Sequence, residues 1–353
     1  MGAPALERAH NVLCVRLDSL SDVLMCTPAI RAIRDTFPAA RLTLLTSHSG
    51  AAAAPYIAEL DNVIAYRAPW MKHSASHGAA IDCACIDRLA QARFDAACIF
   101  TSYSQSALPA AMLCHMAGIP VRLAHCRENP YQLLTHWVAE TEPENLRHEV
   151  QRQLDLVASI GCNTNNARLS FRVRDADTLA VLAHTAALGI APDTKWILLH
   201  PGATAPSHRY PAEHWSTLID LLARRTGLPM ILTGDMSERE MISEILNGCA
   251  SQVHTLAGQL NLGQLGAAIR LAALVVSNNT GPAHMAAAIG TPLVNLYALT
   301  NPQHTPWQVD HRVLFHDVPC RFCQKSICPQ GHHDCLRKIA PDSVADAVCS
   351  LLA

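Results

Sequence analysis

The chain has 353 residues, half of them hydrophobic and 16% charged, with a formal net charge of −2 and a pI near 6.8. That length has room for two ordinary domains with large cores. The composition excludes a disordered chain and supplies no global reason for nucleic-acid binding. No apolar stretch approaches the ~20 residues of a membrane span, and residues 1–10 lack the pattern of a signal peptide, so the chain is expected in the cytoplasm.

Strand and helix patterns alternate. A strand over 11–17 precedes a helix over 22–36, a strand over 41–46, a helix over 51–60 and a strand over 63–67. A long loop over 68–80 carries Trp70, Lys72, His73 and His77. A helix over 79–91, a strand over 96–100, a helix over 105–116 and a strand over 121–124 follow, then a helix over 145–160 stopped by Gly161. After a polar, less periodic stretch at 163–178 come strands at 196–200, 230–233, 253–256, 274–277 and 293–297. Helices at 212–225, 238–246, 262–270 and 283–289 separate them. Pro341 opens a last helix reaching 352, with Asp342 and Asp346 near its N-terminal end. Repeated β-α units imply parallel sheets covered on both faces. Two runs of them imply an α/β protein of two doubly wound, Rossmann-like domains, 1–180 and 181–353, with the last helix a candidate to pack back on the first. Ligands in such sheets lie beyond the carboxyl ends of the strands.

Three turns at such strand ends carry chemistry. The run Leu271 to Val276 ends in Ser277-Asn278-Asn279-Thr280-Gly281-Pro282-Ala283-His284 and turns into an apolar helix pattern. That places unpaired backbone N–H groups and a helix dipole where a phosphate can sit. A second turn is His200-Pro201-Gly202-Ala203-Thr204, leading to His208-Arg209-Tyr210-Pro211, and a third runs from Arg16 through Asp18 and Asp22 to Pro28.

Taken with Thr233 to Glu240, Arg147-His148-Glu149, Leu256-Ala257-Gly258 and a cysteine-rich tail, these turns resemble glycosyltransferase family 9, the heptosyltransferases of lipopolysaccharide core assembly. The resemblance extends over nearly the whole chain. It implies two facing Rossmann-like domains of the GT-B type. It also implies inverting transfer of a heptose from ADP-L-glycero-D-manno-heptose to a sugar hydroxyl, with no cofactor needed for catalysis.

The resemblance makes Asp22 the general base. By its position alone Asp22 is equally a helix cap, and Asp18 is an alternative carboxylate. Ser21 stands where the family usually has Gly. For the donor, the resemblance points to Gly202, Thr204, Asn279, Thr280, Gly281 and His284 at the phosphates, Glu238 at the ribose and Leu260 near the adenine. His208 stands where a Lys is frequent, Tyr210 where Trp is, and Asn279 where many relatives have Asp; Arg209, His208 or both would neutralise the leaving group, and Arg209 is favoured because its charge does not depend on pH. Arg16 matches a basic residue common at that place in the family, which would meet acceptor anions or orient Asp22; for the acceptor, a lipid-linked oligosaccharide, charge and loop position point to Lys72, His73, Arg127 and His136. The enzyme would then work at the inner face of the cytoplasmic membrane.

Of fourteen cysteines, most sit singly in apolar runs and read as reduced, buried thiols. Cys320, Cys323, Cys328 and Cys335 form a cluster fit for a structural zinc or iron ion, with reduced thiols or a disulfide as the alternatives. Other functional readings are a transferase of the same fold acting on a protein or surface polysaccharide, and a catalytically silent sugar-nucleotide binding protein.

Overall fold

The computed structural model describes residues 9–72, 78–142 and 144–353, and the chain divides into two compact units, Met1–Ser170 and Phe171–Ala353. His73 and His77 lie outside the described residues.

The N-terminal unit runs β1 (Asn11–Arg16), α1 (Leu20–Thr36), β2 (Arg41–Thr46), α2 (His48–Ala53), β3 (Asn62–Ala65), α3 (Ala79–Ala92), β4 (Ala96–Ile99), α4 (Leu108–Met116), β5 (Val121–Cys126), β6 (His136–Ala139) and α5 (Glu149–Ala158). Its six strands pair in parallel in the order β3-β2-β1-β4-β5-β6. Near-continuous apolar runs such as Val12 to Val15 are buried because helices cover both sheet faces. Strand order reverses between β1 and β4, the topological switch point where such sheets bind ligands. The helix expected over 51–60 is shorter, since Pro55 tightens the chain into a 3-10 turn over Ala54–Tyr56. The unforeseen β6 is a half-buried edge strand, its apolar pattern too short to show in sequence.

The C-terminal unit runs α6 (Asp175–Ala187), β7 (Ile197–His200), α7 (Ala212–Thr226), β8 (Met230–Leu232), α8 (Arg239–Asn247), β9 (His254–Thr255), α9 (Leu262–Leu271), β10 (Leu274–Asn278), α10 (Gly281–Ile289), β11 (Leu293–Leu296), β12 (His311–Leu314), α11 (Asp334–Arg337) and α12 (Pro341–Leu352). Its parallel sheet has the order β12-β11-β10-β7-β8-β9. The switch point falls between β7 and β10, so the turns that follow those two strands lie side by side. The stretch 163–178 is not wholly irregular, because α6 begins at Asp175, with Asp175 and Asp177 in its first turn, and packs on α9. The buried Phe171 ring closes over Gly266, where an added Cβ would fall 2.5 Å from it. The sequence left open a return of the last helix to the first domain. In the structure α12 packs on α7 and buries Val344, Ala345 and Val348 in the core of the C-terminal unit.

Candidate active site

Arg16 ends β1 at the switch point of the N-terminal unit and is fully buried. Its guanidinium meets Asp18 Oδ2 through Nε at 2.8 Å, Asp22 Oδ1 through Nη2 at 3.1 Å and Glu149 Oε1 through Nη1 at 2.7 Å. It also donates to Ser102 Oγ at 3.0 Å. Burial opposes this charge, but the surrounding carboxylates outweigh burial and hold Arg16 ionised more firmly than usual. Asp22 has a second tie, because its Oδ2 accepts from the Ser19 amide and hydroxyl in a capping box that starts α1. Asp22 therefore caps the helix, and the cap sets its other oxygen toward Arg16.

Asp18 faces a cavity of about 320 Å³ in the same unit, with Trp70, Thr101, Ser104, Gln105 and Ser106 in its wall. Gln105 donates to Asp18 Oδ1 and is itself held through Oε1 by the Ser102 amide. Burial raises the Asp18 pKa against the opposing pull of Arg16. Three acceptor candidates take other places. Arg127 is exposed, and its guanidinium donates to the carbonyl of Tyr103, bracing the loop that carries Gln105. Lys72 is exposed at the edge of the described loop. His136 Nδ1 pairs with Thr135 Oγ1 at 3.0 Å on β6.

In the C-terminal unit Asn278, fully buried at the end of β10, stitches the two neighbouring turns. Its amide donates to Pro201 O at 2.7 Å, and its carbonyl accepts from Tyr210 N at 3.2 Å. Thr280 is the N-cap of α10, its hydroxyl unused by the helix, and Gly281 and Pro282 open the first turn. Pro282 has no N–H and Ala283 N donates to Thr280 O at 3.1 Å, which leaves the Gly281 amide at the mouth of the turn to meet an anion. Asn279 and His284 are buried rather than displayed. The Glu238 carboxyl lies directly over Gly202, where a Cβ would fall 2.0 Å from Oε1. Glu238 Oε2 accepts from Asp235 N at 2.9 Å and lies 3.9 Å from His200 Nε2. Burial raises the Glu238 pKa and drives that of His200 down to about 4, so His200 is neutral at pH 7. Leu260 is half-buried in a loop tied to the Glu238 turn by Gly258 N to Gly234 O at 2.8 Å.

The structure separates His208 from Arg209. The His208 ring spans Asn279 O at 3.2 Å and Thr300 Oγ1 at 2.9 Å, and burial lowers its pKa. It is a neutral strut between turns. Arg209 is exposed, held by Nε to Ala203 O at 2.8 Å, and its charge reaches Glu238. Tyr210 belongs to the core, edge-on to Trp215, with its hydroxyl on Ile339 O at 2.8 Å.

A family model, glycosyltransferase family 9 (heptosyltransferase), matches residues 84–333. The chain belongs to this family. It is 32% identical over 160 residues to lipopolysaccharide heptosyltransferase 2 of Salmonella typhimurium, a match covering 43% of this chain and 45% of that protein. It spans about half the length of the curated relatives it first matches. Two solved structures share its fold. The glycosyl transferase family 9 protein of Veillonella parvula superposes with a TM-score of 0.81 at 20% identity over 97% of both chains. The E. coli ADP-heptose lps heptosyltransferase II superposes at 0.75, with 22% identity over 97% of this chain and 98% of that one.

In this member of the family the four tail cysteines, His332 and His333 line one small cavity. Cys320 Sγ lies 3.8 Å from His332 Nε2. No three His, Cys, Asp or Glu side chains converge as a metal-ligand set among the described residues, and all four thiols are free. The residues as placed do not fit the zinc or iron that their spacing suggested. The segment is tied to its neighbours by Ser207 N donating to Ser326 O at 3.1 Å and Gln324 N to Thr300 O at 2.9 Å.

Sequence reasoning missed Glu149, Ser102, Gln105, Asn278 and Thr300 as supports of the site. Glu149 and Asn278 stood inside recognised motifs, and their full burial was the absent signal. Ser102, Gln105 and Thr300 had none.

Proposed function

We propose that this protein transfers a heptose from ADP-L-glycero-D-manno-heptose to a sugar hydroxyl of a lipopolysaccharide inner core, with inversion at the anomeric carbon. The carrying observation is the match to the heptosyltransferase family model over residues 84–333, on a chain whose two phosphate-type turns meet at the switch point of one sheet. The E. coli protein of the same fold is an ADP-heptose heptosyltransferase, which supports ADP as the nucleotide of the donor.

In this reading Asp22, oriented by Arg16 and Ser19, takes the proton of the acceptor hydroxyl as its oxygen bonds to the anomeric carbon. The bond from that carbon to the ADP oxygen breaks, and ADP leaves with the electron pair. Charge on the departing diphosphate is met by Arg209, the Thr204 and Thr280 hydroxyls and the amides near Gly202 and Gly281. Glu238 accepts from the ribose hydroxyls, and Leu260 lies along the base. Asn279 and His284 act from behind, holding the turn, as does His208. The acceptor is lipid-linked, so the enzyme works at the inner face of the cytoplasmic membrane. No helix among the described residues is long and apolar enough to cross it.

The test compares thermal melting with ADP, UDP, GDP and CDP at matched saturation, where a ligand at 100 times its Kd stabilises by ~2.7 kcal/mol. Selective stabilisation by ADP, lost in Arg209→Met, is expected. Selectivity for UDP or GDP overturns the donor. Near-normal transfer by folded Asp22→Asn overturns the base.

A further inference from the structure

The cavity beside Asp18 lies wholly within the N-terminal unit, and its chemistry is specific. Among the described residues in its wall there is one carboxylate, one carboxamide, three hydroxyls and an indole, but no lysine, arginine or histidine. Its volume of about 320 Å³ lies at the small end of the ~300–1,000 Å³ typical of ligand pockets. No cation stands in the wall itself, and Arg16 meets the Asp18 carboxylate from outside it, so the cavity offers an anionic ligand no positive partner and offers hydroxyl donors an acceptor.

The polar pair in the wall is held from behind. Asp18 has Oδ2 on Arg16 Nε and Oδ1 on Gln105, while Gln105 is clamped by the Ser102 amide. An ionised carboxylate offers about four lone-pair sites and a primary amide two hydrogens. After those contacts the pair still has acceptor capacity on Asp18 and one N–H on Gln105. One group that accepts beside one that donates matches two neighbouring sugar hydroxyls. Trp70, 37% exposed, stands at the same cavity, its ring 6.1 Å from that of Tyr66, whose hydroxyl is anchored on Asp82 at 2.7 Å. A propped indole offers a flat apolar face, the complement of the C–H face of a pyranose ring.

We infer that this cavity is the subsite for an uncharged pyranose of the acceptor, with Asp18 and Gln105 reading adjacent hydroxyls and Trp70 stacking on the ring. The inference rests on the transferase reading for the word acceptor, and it narrows that reading: the sugar bound beside Asp18 carries no carboxylate or phosphate of its own. Asp18 and Gln105 determine specificity, and Asp22 keeps the proton transfer.

The experiment is a pair of methyl glycosides, one of a neutral heptose or hexose and one of the matching uronic acid. Each is titrated into the full chain with ADP present and followed by saturation-transfer NMR and calorimetry. The neutral glycoside is expected to bind about tenfold to hundredfold more tightly, the range of one hydrogen bond to a charged group. Its ring C–H protons should saturate from the indole, an effect lost in Trp70→Ala. Asp18→Asn should bring the two affinities close together, and Gln105→Leu should weaken the neutral glycoside by about tenfold. Melting of each variant shows whether it is folded, and Gln105→Leu keeps the test open should Asp18→Asn unfold. Equal or tighter binding of the uronic acid by the parent chain overturns the inference. So does failure of both glycosides to bind, or an unchanged preference in folded Asp18→Asn. The donor reading is scored separately by the nucleotide melts: glycoside binding without nucleotide selectivity leaves the subsite and removes the transferase, and the reverse pattern does the opposite.

Discussion

Replacing Arg16 by Met removes one buried cation from among Asp18, Asp22 and Glu149. Arg16 and Glu149 side chains are both 0% exposed, and their contact is 2.7 Å. Removing one partner of a buried pair costs about 3–5 kcal/mol, because the other charge is left behind. Glu149 keeps Gln153 Nε2 at 2.9 Å and the buried Arg152 guanidinium at 3.7 Å, which argues for the lower end, about 3 kcal/mol. For a unit of this size, Met1–Ser170, that is a fall of roughly 6–12 °C in melting temperature, at about 2–4 °C per kcal/mol. The sign with pH follows from the carboxylates. Burial already raises Asp18 while Arg16 pulls it down, so without Arg16 its folded pKa rises further above the unfolded value. A group with a raised folded carboxyl pKa destabilises when ionised, and the penalty fades as pH falls through that pKa. The loss should therefore be larger at pH 7.5 than at pH 5.0, and Glu149→Gln added to Arg16→Met should recover part of it. Scanning calorimetry at both pH values reads this directly. An equal loss at both, with no recovery in the double variant, would refute the charge argument and leave only lost packing.

Gly202→Ala should force the Glu238 carboxylate off the turn, since the new Cβ would sit 2.0 Å from Oε1. A flexible carboxyl can swing away, so the melting temperature without nucleotide should fall little while ADP affinity drops about tenfold or more, one lost hydrogen bond to a charged group. Calorimetric titration with unchanged ADP affinity would count against Glu238 as a donor contact. His125 and His200 are both pushed down to about 4, chiefly by burial. Each folded pKa lies below the ordinary 6.5, so the unfolded chain binds more protons between pH 6.5 and 4. Stability is full above that window and falls by on the order of 3 kcal/mol per histidine as pH drops through it. Folded His125→Asn and His200→Asn should each flatten the stability slope between pH 6.5 and 5; parental slopes in both would refute buried neutral imidazoles.

The alternation of strand and helix was legible in the residues because period and capping are local. The runs Val12–Val15 and Leu274–Val276 are apolar for a parallel strand buried on both faces. The helix starts read at 22 and 283 fall two residues inside the observed starts of α1 at Leu20 and α10 at Gly281. The three turns at strand ends could be picked out for the same reason, and Asp22, Glu238 and Arg209 named in them as candidates. The short edge strands β6 and β12 were not legible, because four half-buried residues carry too little pattern. Nor was the order of the strands, and it is strand order that sets the β7 and β10 turns side by side so that Asn278 can bridge them. Glu149 reaches Arg16 across 133 positions, and Gln105 reaches Asp18 across 87. Sequence by itself determined which segments form strands and helices and where the turns between them fall, since those depend on neighbours along the chain. Only the tertiary structure decided which carboxylate faces a cavity, which histidine is neutral and which glycine lies beneath a carboxyl group, because those depend on burial and on partners that folding alone brings together.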